Sequence, residues 1–165
     1  MTRYADRTTV PADSSRLEIE RALTRYGASS FAYGTDSERA MMQFRLKDRL
    51  VRMVLNFPAA NDKRFQLTPT GRIRRHAGKW GEEREKEIRR LWRALVLVVK
   101  AKLEACESGI STIEREFLPD IVLPDGRTVG ERLTPQIAEA YATGVDAPLL
   151  LESPDARKTR KVLDA

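Results

Sequence analysis

Between residues 39 and 57 the side chains alternate in character with a period of two, and this pattern constrains the chain more than any other feature. Ala40, Met42, Phe44 and Leu46 alternate with Arg39, Met41, Gln43, Arg45 and Lys47; Val51, Met53, Leu55 and Phe57 then alternate with Leu50, Arg52, Val54 and Asn56. Successive side chains of a strand point to opposite faces, so this pattern predicts two half-buried strands. Lys47-Asp48 turns the chain between them and Pro58 ends the second. Upstream, Ser30-Phe31-Ala32-Tyr33 reads as a short aromatic strand, and Gly34-Thr35-Asp36 as the turn that follows it. The expectation is a three-stranded antiparallel meander with one apolar face. Its other face carries Arg39, Arg45, Lys47 and Arg52.

Helices flank this meander. Ser15-Arg16-Leu17-Glu18 has capping-box spacing, and Ile19, Ala22, Leu23 and Tyr26 follow at helical intervals up to Gly27, which predicts a helix over 15–26. A long helix is expected over 81–107. Glu82, Glu83 and Glu85 sit where the helix dipole favours acids, and an apolar stripe runs through Ile88, Leu91, Trp92, Leu95, Val99, Leu103 and Cys106. Val96 and Val98 widen that stripe, so the middle of the helix is expected to be buried nearly all round, with Trp92 in the core. Further capping boxes begin at Ser111 and Thr128. The second opens a helix to about Thr143, stopped by Gly144, in which Pro135 marks a kink or the true start. Ile121-Val122-Leu123 reads as a short strand. The fold class is therefore α+β, with helices packed on one face of the meander. Residues 1–144 form one domain with its core in 15–107 and a helical C-terminal segment over 111–144; 145–165 is a flexible basic tail.

The lone cysteine, Cys106, excludes a disulfide framework and points to a reducing compartment. The start of the chain lacks a signal-type apolar run. The longest apolar run, Ala94 to Val99, is far short of the roughly 20 residues that cross a bilayer, so a soluble cytoplasmic protein is expected.

Signs of catalysis are sparse. His76 and Cys106 are the only histidine and cysteine, too few for a zinc site, and Cys106 lies on the apolar stripe where a thiol packs. No phosphate-cradling glycine motif occurs. Asp36, Glu38 and Asp48 flank the meander as candidate metal ligands of a nuclease, but turns recruit acids for backbone reasons, as at Asp120 and Asp125. No catalytic residue, metal or cofactor is assigned.

Charge is more informative. The chain is +6 overall, and the connection 58–80 holds Lys63, Arg64, Arg72, Arg74, Arg75 and Lys79 against one acid, Asp62. Phosphate neutralisation needs such cations on one surface. Together with Arg39, Arg45, Lys47 and Arg52 on the sheet they form a candidate nucleic-acid surface. Trp80, Phe65 and Tyr33 are available to stack on bases.

Two resemblances follow. The segments Trp92 to Ala105 (WRALVLVVKAKLEA) and Ile121 to Glu131 (IVLPDGRTVGE) resemble a small protein family of tailed phages and prophages that carries no assigned activity. This likeness implies the cytoplasm of a host cell. The element order helix, meander, basic loop, long helix over 15–107 is similar to the core of single-strand annealing recombinases. That implies oligomers holding single-stranded DNA in a basic groove. The α-β-β-β-α order of double-stranded-RNA-binding domains fits less well, because the 58–80 connection is too long and the following helix starts acidic. The expected function is nucleic-acid binding, by single-strand binding or annealing in recombination or replication. The alternatives are a module that binds a host or phage protein, such as an inhibitor of a defence system, and a divergent metal-dependent nuclease.

Overall fold

The structure is a computed structural model that describes residues 4–5, 8–68, 70–73 and 78–145. The basic tail expected beyond 145 lies outside the described residues. Three strands, β1 (Ser29–Thr35), β2 (Arg39–Leu46) and β3 (Arg49–Asn56), form an antiparallel sheet in the order β1-β2-β3. The α+β class and the meander are as the alternation predicts. Ala40, Met42, Phe44 and Leu46 of β2 and Val51 and Met53 of β3 are buried on one face.

Two helices cover that face. α1 (Ala12–Arg25) contributes Ile19 and Leu23; α3 (Gly78–Glu107) contributes Ile88, Trp92, Val96, Val99 and Leu103. α1 starts a turn earlier than its sequence indicates, with Pro11 at the N-cap. Ser15 is consequently inside the helix, wholly buried, its hydroxyl without a hydrogen-bond partner among the described residues. The carboxylate expected to complete its capping box, Glu18, instead receives hydrogen bonds from Arg93 and Lys100 of α3. An interhelical ion pair thus displaces the local cap.

The described part of the 58–80 stretch is not a structureless loop. It folds into the four-residue α2 (Lys63–Gln66), capped by Asp62, followed by a tight turn closed by a bridge between Leu67 and Ile73. α3 then begins at Gly78, earlier than expected. The middle of α3 is also not buried all round: Leu97 is 47% and Val98 44% exposed.

The C-terminal segment consists of α4 (Ile113–Phe117), a short 3-10 helix (Leu118–Asp120) and α5 (Val129–Thr143). α4 is capped by Thr112, one residue beyond the expected position, and α5 carries the full capping box of Thr128 and Glu131. Pro135 does not break α5, where it occupies an exposed position. Instead of a strand, Ile121 and Val122 make single bridges. Ile121 pairs with Val51, and the Val122 amide donates to the Leu50 carbonyl at 2.8 Å, which places this segment along the free margin of β3. Phe117 anchors it, fully buried and edge-on to Phe44 at 6.1 Å.

Candidate nucleic-acid interface

The face of the sheet turned away from α1 and α3 follows directly from the register. Arg39 lies opposite Asn56, Met41 opposite Val54, Gln43 opposite Arg52 and Arg45 opposite Leu50. Arg39, Arg45 and Arg52 therefore share this face as expected, spread along the strands. Two of the three are engaged. Arg39 is 3.6 Å from the carboxylate of Asp36, and the Arg52 guanidinium donates to Glu131 at 2.7 Å from the start of α5. The Glu131 carboxyl is held below the ordinary range, first by the Thr128 amide and further by Arg52. Lys47, in the β2–β3 turn at a φ of 50°, is 3.7 Å from Glu114 of α4. Arg45 is exposed and has no ion pair among the described residues.

The second group of cations stands on α2, the turn after it and the start of α3. Arg64 is engaged by Asp62 at 2.8 Å and Glu87 at 3.8 Å, with its guanidinium 4.8 Å over the Phe65 ring. Lys63, Arg72 and Lys79 are exposed and carry no ion pair among the described residues. The Arg72 amide closes the turn by donating to the Thr68 hydroxyl at 3.1 Å. Arg74, Arg75 and His76 lie outside the described residues. Of the cations singled out from sequence, Arg45, Lys63, Arg72 and Lys79 keep their charge available, while Arg39, Lys47, Arg52 and Arg64 share theirs with carboxylates.

The aromatic residues are placed differently from the expectation. Phe65 is only 5% exposed, sealing α2. Tyr33 pairs with Met42, so it lies on the helix-covered side; its hydroxyl donates to Glu20 at 3.1 Å and Arg16 sits 5.0 Å over its ring. Burial, followed by the Glu20 charge, raises the Tyr33 phenol well above its usual range. Trp80 is half-buried in the first turn of α3, with its indole N–H buried and without a partner among the described residues. The open sheet face carries Ala32, Gly34, Met41, Gln43, Leu50 and Val54 beside its arginines, and no aromatic ring. Base stacking on that face therefore has no support in the geometry.

The acids weighed as nuclease ligands do not converge. Asp36 lies in the β1–β2 turn, accepting the amides of Glu38 and Arg39, and these bonds hold its carboxyl low. Asp48 lies in the β2–β3 turn, at the other end of eight-residue β2. Among the described residues no group of three or more His, Cys, Asp or Glu side chains is arranged to hold a metal ion. Cys106 is half-buried, and burial, reinforced by Glu116 and Glu114, pushes its thiol above the ordinary range.

One feature the sequence did not disclose is a cavity of about 460 Å³ at the β1–β2 end, between the N-terminal halves of α1 and α3. Ile88, Trp92, Ala40 and Phe57 line it, with Arg16 and Arg84 at its edge. Arg84 is spent on structure, donating to the carbonyls of Pro58 and Ser37. Only the tertiary fold brings these positions together, so no local motif could have marked them.

Compared with family models, curated proteins and solved structures, the chain matches none. No helix among the described residues is long and apolar enough to cross a membrane.

Proposed function

We propose that the protein binds nucleic acid through backbone phosphates, as a phage-type single-strand binding or annealing protein of recombination or replication. The observation that carries this reading is charge segregation. Residues 39–80 hold eleven Lys and Arg against two acids, Asp48 and Asp62, a net +9; the whole chain is +6, so the remainder is net −3. The described part of this segment forms the sheet, α2 and the start of α3, and leaves two sets of exposed cations without ion pairs among the described residues: Lys63, Arg72 and Lys79 around α2, and Arg45 at the opposite, β2–β3 turn end of the sheet. Lysines and arginines in this state displace counterions from phosphates, which makes binding salt-dependent and nearly blind to sequence. Annealing of complementary strands needs no catalytic group. With the aromatics turned inward, affinity on this reading comes from phosphates far more than from base stacking.

The test is fluorescence anisotropy of a labelled single-stranded oligonucleotide across a salt series. Binding should weaken steeply with salt. Replacing Lys63, Arg72 and Lys79 together by Ala should lower the log–log salt slope by about 2, from roughly 0.7 per phosphate contact on single strands. An unchanged slope in a folded triple variant would sink the assignment.

A protein-binding module is the second reading, favoured by Ile73. This residue is 72% exposed and follows Arg72 directly, so a basic surface there carries an apolar tip suited to an acidic protein partner. Ile73→Ser, which removes the apolar tip without adding charge beside Arg72, should leave oligonucleotide affinity within about twofold if phosphates are the ligand.

A further inference from the structure

Residues 111–143 hold six acids against three arginines, net −3, and the fold lays them beside a sheet that is rich in arginine. Their docking does not depend on those charges. Phe117 is buried, the Val122 amide donates to the Leu50 carbonyl, and Gly130 approaches Pro119 too closely to admit a Cβ. Two carboxylates of the segment nonetheless reach cations of the sheet. Glu131 accepts from Arg52 at 2.7 Å, and Glu114 stands 3.7 Å from Lys47. Arg52 and Glu131 border, with Arg39, a cleft of about 320 Å³ on the open sheet face, where Met41 and Val54 also line it. Lys47 and Glu114 are both more than half exposed, and ion pairs in that setting add little to stability. These contacts matter more for what else the cations can bind.

We propose that this segment is a built-in competitor for phosphates, its Glu131 and Glu114 carboxylates standing on Arg52 and Lys47 where a nucleic-acid backbone would otherwise bind. The inference rests on the phosphate-binding reading and adds how that surface is held in check. Carboxylate and phosphate oxygens make the same charge-assisted hydrogen bonds to guanidinium and ammonium groups, so one excludes the other. The competitor is also tethered. Glu131 is fixed at the start of α5 by the Thr128 amide at 2.8 Å as well as by Arg52, and Glu114 lies in the first turn of α4. The effective concentration of a tethered group stays high however dilute the protein, whereas a strand must be supplied from solution. A strand arriving at Arg52 also meets the negative charge of Glu131 itself.

Arg52 and Lys47 therefore add nothing to affinity in the wild-type chain, which the cations without ion pairs carry. Each one freed adds one phosphate contact, a rise of roughly 0.7 in the log–log salt slope on single strands.

The test is anisotropy of the full chain with a labelled oligothymidylate across a salt series. Glu131→Gln keeps the cap, because glutamine serves at this position of a capping box. It should raise affinity about fivefold at low salt and the slope by about 0.7. Adding Glu114→Gln should bring the rise in slope to about 1.4. Arg52→Gln combined with Glu131→Gln should return affinity to within about twofold of wild type, since the freed cation is gone. Glu139→Gln makes the same change in net charge at an exposed position about 12 Å further along α5, and should have less than a twofold effect. Wild-type binding with no gain in Glu131→Gln, a gain that survives loss of Arg52, or an equal gain in Glu139→Gln would each overturn the proposal and leave the phosphate-binding reading standing. Absence of binding at low salt by wild type and every variant would overturn both.

Discussion

Phe117 joins two parts of the molecule through one side chain. Its ring is fully buried, edge-on to Phe44, and the Lys102 ammonium lies 5.0 Å from its centre. Truncation to Ala removes the apolar contact and leaves a cavity, so Phe117→Ala should cost about 3–5 kcal/mol in urea unfolding. Glu18 has a comparable joining role by charge. Hydrogen bonding from Lys100 first, then from Arg93, holds its carboxyl below the ordinary range. A lowered folded value means that its contribution is fully present above the usual glutamate pKa of about 4.3 and is lost as pH falls through the folded value. The difference in melting temperature between wild type and Glu18→Gln should therefore be largest near neutrality and shrink in acid, which thermal unfolding at stepped pH would show. Cys106 gives a third residue-level expectation. Burial, reinforced by Glu116 and Glu114, raises its thiol above the ordinary range, so a disulfide reagent at neutral pH should modify it more slowly in the folded chain than in the denatured one.

At the scale of elements, the junction before α5 is set by close approach. A Cβ added at Gly130 would lie 2.9 Å from the Pro119 carbonyl oxygen, a backbone atom that cannot swing away. Gly130→Ala should destabilise the docking of α5 by about 1–3 kcal/mol, seen as faster hydrogen exchange of the α5 amides. How far such elements could be read in advance depended on how local their causes are. The meander was legible because burial of one sheet face imposes its period directly on the sequence. The cap of α5 was legible because Thr128 and Glu131 satisfy each other across three residues. Ser15 misled because its box partner answers to Arg93, 75 residues away. α2 was missed since four residues are too few to show a helical period, and Phe65 was offered to bases although it seals that turn. The candidate cations were visible as residue types, but the partners of Arg52 and Lys47 were not. Glu131 and Glu114 come from a segment whose position only the tertiary fold determines.

For the molecule as a whole, charge is segregated along the chain: residues 39–80 are net +9 and the remainder net −3. On the proposed phosphate-binding reading, raising salt should weaken oligonucleotide binding steeply while the melting temperature changes far less, which anisotropy and thermal unfolding across one salt series would reveal.

The sheet also has two unequal margins. Beside β3, Ile121 and Val122 occupy the lateral hydrogen-bonding positions at Val51 and Leu50. Beside β1 no further strand is paired among the described residues, and Ser29–Thr35 contains no charged side chain to repel a newcomer. What interrupts that ribbon is the irregularity between Ser29 and Ala32, where Ser30 takes a φ of 57° and the regular ladder with β2 breaks. A stranger chain seeking a template meets a kinked rim there instead of a straight one. The awkward backbone of one serine thus interrupts the row of outward amides and carbonyls that a further strand would need.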